Sequence, residues 1–316
     1  MLVNGVWTEN WQPVQAKDNE GRFIRQTSSF RNWITKEGQP GPTGTGGFKA
    51  EKDRYHLYVA YICPWASRTL MVRELKQLTS YITVSAVNPV LTEQGWQFGG
   101  YPGSDLDTLN DYQYLHELYT AADSTFTGRA TVPVLWDKVN KVVVNNESAD
   151  IIRMLSTAFD DLTGSTLELY PDEFAIDINI LNRRIYENLN NGVYQAGFSS
   201  SQLAYEEAYH KVFSMLDELE DRLEGGHKFL FGDMISESDI RVFVTLIRFD
   251  VAYYGLFKCN RNLIQQMPNL SGYINRILAI PGIGKTVNID HIKQGYYSVK
   301  ALNPNGIVPV GPRDIA

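Results

Sequence analysis

The chain has 316 residues, 43% of them hydrophobic and 21% charged, which is ordinary globular material for two cores. Its net charge of -7 argues against a nucleic-acid partner, because phosphate binding calls for concentrated lysine and arginine. No stretch approaches the ~18 uninterrupted apolar residues of a spanning helix, and the start of the chain lacks the pattern of a secretory leader, so no membrane partner is expected.

The first fifty or so residues are largely polar and end in a Gly-, Pro- and Thr-rich run at 38–47, which reads as an extended arm and loop. Residues 55–60 read as a strand. Residues 65–78 read as a helix with Leu70, Leu75 and Leu78 on or near one face, and 81–87 as a second strand, which completes a βαβ unit. From 88 to 110 the chain is loop-like, with Gly95, Gly99, Gly100, Pro102 and Gly103 around Trp96; loops of this length inside a compact domain are often functional. A helix is predicted at 111–122, a hairpin from 131–136 and 141–144, and a helix opening at Glu147. The order β-α-β-α-β-β-α is that of a thioredoxin-like domain.

Beyond a linker the pattern turns helical, with helices predicted at 174–190, 201–223, 236–254 and 270–278. Ser236, followed three residues on by Asp239, is a variant capping box. The expected fold class is therefore α/β plus all-α, a thioredoxin-like domain followed by a helical one. Its divisions are an N-terminal extension at 1–53, the thioredoxin-like domain at 54–160, a linker at 161–173, the helical domain at 174–290, and a tail at 291–316 that packs on the domains.

Cys63 sits where an apolar strand gives way to a helix, the place of a nucleophile. Unpaired backbone N–H groups and the positive end of the helix dipole favour a thiolate there, lowering its pKa below the ~8.5 of a free thiol. Pro64 suits a first helical position, where its missing N–H costs nothing. A dithiol oxidoreductase would carry its second cysteine at position 66, which is Ala66, so an outside thiol must resolve any mixed disulfide at Cys63. With only Cys63 and Cys259 there is no disulfide framework, and a reactive thiol suits a reducing compartment; the expected location is cytoplasmic.

Cys63-Pro64-Trp65-Ala66 with Arg68-Thr69, Thr131 to Asp137, Asn146 to Met154, Phe257-Lys258-Cys259-Asn260 and Asp290-His291-Ile292-Lys293 together resemble the glutathionyl-hydroquinone reductases, the Xi class of glutathione transferases. The resemblance spans nearly the whole chain. It implies glutathione as co-substrate, held by Trp96, Arg129, Val132, Pro133, Glu147 and Ser148. Pro133 fits the cis-proline position of thioredoxin-like folds, with Val132 pairing to the cysteinyl backbone of glutathione. Glu147 and Ser148, at a helix start, offer a carboxylate for the γ-glutamyl ammonium and a hydroxyl with free N–H groups for its carboxylate. Tyr194, Tyr253 and Tyr296 match family tyrosines that serve the hydroquinone, since phenols stack on its ring and hydrogen-bond its hydroxyls.

The implied reaction removes glutathione from a quinone-derived thioether through a Cys63–glutathione mixed disulfide, and a second glutathione releases oxidised glutathione. Cys259 is a family feature with a structural role, no metal site is implied, and the family is dimeric, so a homodimer is expected. The sequence departs from the family at Ser67, Leu256 and Gly295, and near Val299, where histidine is usual; these changes bear on the acceptor pocket and its proton handling. Two other readings stand beside this one. An omega-like thioltransferase or dehydroascorbate reductase would need no tyrosine cluster, and a non-catalytic glutathione- or ligand-binding protein would need no low-pKa Cys63.

Overall fold

The computed structural model describes residues 1–9 and 16–312. Residues 10–15 and 313–316, parts of the expected extension and tail, lie outside the described residues. The chain forms two compact units, one built on residues 27–167 with the first residues of the chain, the other on residues 168–312 with residues 16–26. The extension is thus shared between the units, and it is not without structure. It holds two short hairpins, β1 (Leu2–Val3) with β2 (Val6–Trp7), and β3 (Ala16–Lys17) with β4 (Phe23–Ile24).

The first unit continues with β5 (Tyr55–Val59), α1 (Pro64–Leu75), β6 (Thr83–Ala86), α2 (Leu115–Ala122), β7 (Val134–Asp137), β8 (Val142–Asn145), α3 (Ser148–Thr157) and the short α4 (Asp160–Thr163). The sheet order is β6-β5-β7-β8, with β5 and β6 parallel and the other neighbours antiparallel. Every residue of β5 is buried, because the strand is interior to the sheet and covered on both faces. Side chains alternate across it: Tyr55 meets Phe159 edge-on at 6.2 Å, whereas Tyr58 meets Phe98 at 5.5 Å. The second of these faces lies under the loop at 88–110. Tyr58 donates its hydroxyl hydrogen to Asp107 at 2.8 Å and accepts one from Asn110 at 2.9 Å, which anchors that loop. Residues 30–32 cover the outer edge of β8: Arg31 bridges to Asn145, and Asn32 N donates to Val144 O at 3.0 Å.

The second unit holds α5 (Ala175–Ile185), α6 (Gly192–Phe198), α7 (Gln202–Arg222), α8 (Glu237–Arg248), α9 (Pro268–Leu278) and α10 (Ile289–Tyr297). All of α8 is buried, including its charges, which are hydrogen-bonded: Arg241 donates to Glu237 at 2.9 and 2.6 Å, and Asn182 to the same carboxylate at 3.0 Å. Asp239 reaches back to the Ser236 N–H at 2.7 Å and also takes the Ser236 hydroxyl at 2.6 Å, so the capping variant read from sequence is present.

Three features of this unit differ from the pattern read in the sequence. The helices expected at 174–190 and 236–254 each end in a π-helical turn, Tyr186–Asn190 and Phe249–Tyr253, where the hydrogen bond spans five residues: Asn191 N to Tyr186 O at 2.9 Å, Tyr254 N to Phe249 O at 2.8 Å. Residues 192–198 are helical, and the expected tail begins inside α10, whose N-cap Asn288 accepts the His291 N–H at 3.0 Å. Gly295 and the paired tyrosines mask the helical period there, yet Ile292 and Tyr296 are buried at helical spacing. Among the described residues no helix is long and apolar enough to cross a membrane.

Candidate functional site

Cys63 is the N-cap of α1, with extended backbone angles of φ -77° and ψ 116° and Pro64 at the first helical position. It is partly exposed, and its Sγ lies 3.5 Å from the Val132 carbonyl oxygen. Val132 is itself 6% exposed, and the Val132–Pro133 peptide is cis. Thr131, just before, is fixed by Tyr119, whose hydroxyl donates to Thr131 O at 2.7 Å and accepts from Thr131 N at 3.2 Å. The two ends of the expected site, nucleophile and cis-proline turn, are therefore in contact. Ser67 turns its hydroxyl back to Cys63 O at 3.2 Å, an i to i−4 bond along α1. No imidazole stands at that position, nor at buried Leu256 and Gly295 in the second unit.

Glu147 is the N-cap of α3: its side chain accepts from Ala149 N at 3.1 Å and from the Ser28 hydroxyl at 3.0 Å. Ser148 follows at the first helical position and is 2% exposed. The buried Arg68 of α1 reaches across to it, with Nη1 3.4 Å from the Ser148 hydroxyl and its guanidinium 4.5 Å from the Trp65 ring centre. One turn into α3, Asp150 receives a two-pronged contact from Arg31, with Nη2 at 3.0 Å and Nε on the other oxygen. A helix N-terminus with its carboxylate, hydroxyl and buried arginine is suited to a zwitterionic ligand that carries both an ammonium and a carboxylate. Trp96 is half-buried in the glycine-rich loop and holds Leu115 N through its carbonyl at 2.9 Å, so loop and α2 are joined there. Arg129 is half-buried and is close enough to the Met1 ammonium to lower its pKa, an effect secondary to burial.

In the second unit the three tyrosines named from the sequence form one hydrogen-bonded chain. The Tyr194 and Tyr296 hydroxyls are 2.6 Å apart, those of Tyr296 and Tyr253 2.7 Å. Tyr253 is fully buried, Tyr296 is 4% exposed and Tyr194 is half-buried, so the chain runs from the interior outward. Burial pushes the inner two phenols well above their usual pKa. Phe257 packs among all three rings at 5.1 to 5.5 Å, a place open to it only because residue 197 is glycine: a Cβ there would lie 2.5 Å from the Phe257 ring. The π-helical turns place this cluster, one ending at Tyr253 and the other four residues before Tyr194. Cys259 is close by in sequence but fully buried, and burial pushes its thiol up to about 12.

Sequence reasoning missed Ser28 and Arg31, which reach the start of α3 only through tertiary packing, and Arg25, which reaches Tyr194 in the same way. Arg25 places its guanidinium 4.9 Å from the Tyr194 ring centre, and its Nε donates to Asn191 at 2.9 Å. Arg68 lies in the cysteine motif one turn past the start of α1, and that position was the available signal. Among the described residues no group of three His, Cys, Asp or Glu side chains is placed to hold a metal ion.

Residues 62–158 match the N-terminal domain family of glutathione S-transferases, and 202–276 the C-terminal domain family. The chain is 51% identical to glutathionyl-hydroquinone reductase YqjG of Escherichia coli K12 over 98% of its own length and 94% of that protein's. The glutathione-bound structure of YqjG superposes with a TM-score of 0.91 at 48% identity, covering 99% of this chain and 96% of that one. Glutathione S-transferase Xi from Phanerochaete chrysosporium superposes with a TM-score of 0.89 at 43% identity, over 95% and 98% of the two chains. With the cysteine helix start, the cis-proline turn and the largely helical second unit in place, the chain belongs to the glutathionyl-hydroquinone reductases, glutathione-dependent enzymes of the Xi class of glutathione transferases.

Proposed function

We propose that this chain reduces glutathionyl-hydroquinones with Cys63 as nucleophile. The Cys63 thiolate attacks the thioether sulfur. The carbon–sulfur bond breaks, the ring carbon takes a proton to give the hydroquinone, and a Cys63–glutathione disulfide remains. The thiolate of a second glutathione attacks that disulfide, leaving as oxidised glutathione and returning the Cys63 thiolate, so two thiols supply the two electrons. The observation that carries this reading is the place of Cys63: a partly exposed thiol at a proline-started helix N-terminus, 3.5 Å from the Val132 carbonyl, with Ala66 where a resolving cysteine would stand.

Val132 and Pro133 align the cysteinyl backbone of glutathione, Glu147 and Ser148 hold its γ-glutamyl end, Arg129 meets a carboxylate, and Trp96 walls the thiol region. The hydroxyls of Tyr194, Tyr253 and Tyr296 serve the hydroquinone as it gains charge on leaving; their support is the continuous hydroxyl chain that opens outward at Tyr194. A reducing, cytoplasmic setting keeps Cys63 out of disulfides other than the one with glutathione, and the family resemblance makes the protein a homodimer.

Turnover of glutathionyl-menadiol, run beside an ordinary glutathione mixed disulfide, tests the reading. Tyr194→Phe or Tyr296→Phe removes a hydrogen bond to a group gaining charge and lowers thioether turnover by roughly five- to a hundredfold, corresponding to ~1–3 kcal/mol. The loss on the mixed disulfide is far smaller, since a leaving thiolate needs no phenolic donor. Turnover of the mixed disulfide alone, or equal losses on both substrates, would favour the thioltransferase reading.

A further inference from the structure

Residues 16–26 are fastened to the second unit at several points. Arg22 pairs with Glu207 through Nε at 2.8 Å and Nη2 at 3.1 Å, Ser200 N donates to Gly21 O at 3.1 Å, and the Ser201 hydroxyl donates to Glu20 O at 2.7 Å. Phe23 is buried and stacks on Phe198 at 5.9 Å and on Tyr194 at 6.4 Å. The following turn of chain brings Arg25 to the open end of the tyrosine chain. Its guanidinium lies over the Tyr194 ring at 4.9 Å and over Phe23 at 5.4 Å, and Nε–H to Asn191, the residue before α6, holds it there at 2.9 Å.

We propose that Arg25 is a positioning residue that makes Tyr194 the hydrogen-bond donor of the chain toward the hydroquinone oxygen. This rests on the reading of the tyrosines given above. Three hydroxyls in a row carry three hydrogens, and two are consumed within the chain. The remaining one points outward from Tyr194 when Tyr253 donates to Tyr296 and Tyr296 to Tyr194. In that order the strength of the outward hydrogen bond depends on how well the Tyr194 hydroxyl donates. A cation on the face of a phenol ring stabilises negative charge in that ring and strengthens its O–H as a donor. Arg25 supplies such a cation to Tyr194, while the inner two phenols, held neutral by burial, keep their hydrogens in the chain. The same contact orients the ring through Asn191, so the charge and its geometry come from one side chain.

The experiment is a kinetic cycle on glutathionyl-menadiol with wild type, Arg25→Met, Arg25→Lys, Tyr194→Phe and the Arg25→Met/Tyr194→Phe pair. Arg25→Met lowers kcat about tenfold with KM for glutathione nearly unchanged, Arg25→Lys recovers most of the loss, and Arg25→Met costs nothing further once Tyr194 is phenylalanine. A cost of equal size in both backgrounds, or no recovery by lysine, overturns the proposal. Should Arg25→Met fail to fold, as read by thermal melting, the cycle is run with Arg25→Lys and Arg25→Gln, and the same two outcomes decide. If Tyr194→Phe alone leaves thioether turnover intact, the tyrosine reading itself falls and takes this proposal with it; if Tyr194→Phe is slow and the cycle is additive, only the role of Arg25 falls.

Discussion

Cys63 and Cys259 are the same side chain set in two environments, one in each unit. Cys63 caps the N-terminus of α1 with its sulfur partly exposed and with no acidic residue in the first helical turn. Cys259 lies fully buried, its sulfur 3.9 Å from Phe257 O, and burial pushes its pKa up to about 12. A helix N-terminus stabilises the thiolate, whereas an apolar interior opposes it, so position alone separates the proposed nucleophile from a packing group. The tyrosines repeat the lesson within one unit: two are sealed and keep their protons, and the half-buried third is the one with an arginine on its face.

Substitution of each thiol gives the largest contrast. Cys63→Ala lowers turnover by roughly four orders of magnitude or more, the usual cost of removing a nucleophile. Glutathione binding, measured by calorimetry, persists through the groups around Val132, Glu147 and Ser148. Cys259→Ala leaves kcat within about twofold and reduces stability by about 1–2 kcal/mol, as for a small cavity in a packed core. Activity above a few per cent in the Cys63 variant would remove that residue from the mechanism.

Alkylation sharpens the contrast without any substitution. Iodoacetamide modifies Cys63 in the native protein at least about a thousandfold faster than Cys259, which reacts only after unfolding; peptide mass spectrometry reads both rates. Substrate given without free glutathione adds one glutathione at Cys63, reversible by reductant. A Cys63–Cys259 disulfide appearing instead would break the single-thiol scheme.

A smaller effect checks whether burial controls other titrating groups in the first unit. His56 on β5 is 3% exposed, donates or accepts at Thr83 Oγ1 across 2.7 Å, and has its pKa lowered to about 3 by burial, helped by Lys138 and Arg73. Below about pH 6.5 the unfolded chain takes up a proton here that the folded chain refuses, so this stabilisation is present above that pH and is lost as pH falls toward 3. Between pH 7 and pH 5 the loss amounts to about 2 kcal/mol. Urea unfolding at the two pH values shows this slope in wild type and a flatter one in His56→Gln; identical slopes would assign the acid sensitivity to other groups.

Local pattern carried much of the first unit, because its signals are short in range. The apolar run of β5, the proline after Cys63 and the Glu147 cap are properties of adjacent residues, and the strand and helix order followed from them. The extension was the exception there, since Ser28 and Arg31 find partners more than a hundred residues away and form no periodic pattern of their own. In the second unit, helical spacing located α7, α8 and α9. It missed α6 and α10, the first short and glycine-bearing, the second interrupted by buried Gly295.

The sequence by itself determined the helix start at Cys63, the absence of a neighbouring resolving cysteine and the acidic cap of α3. Those depend on residue type and on neighbours within a turn or two. Only the tertiary structure decided that the three tyrosines form one hydroxyl chain, that Phe257 fills the space left by Gly197, and that Arg25 arrives over Tyr194. The π-helical turns shift the register of the helices by one residue, and the strand β4, near the start of the chain, packs on α6, far along the sequence. Such placements arise from packing between distant segments, on which no local period reports.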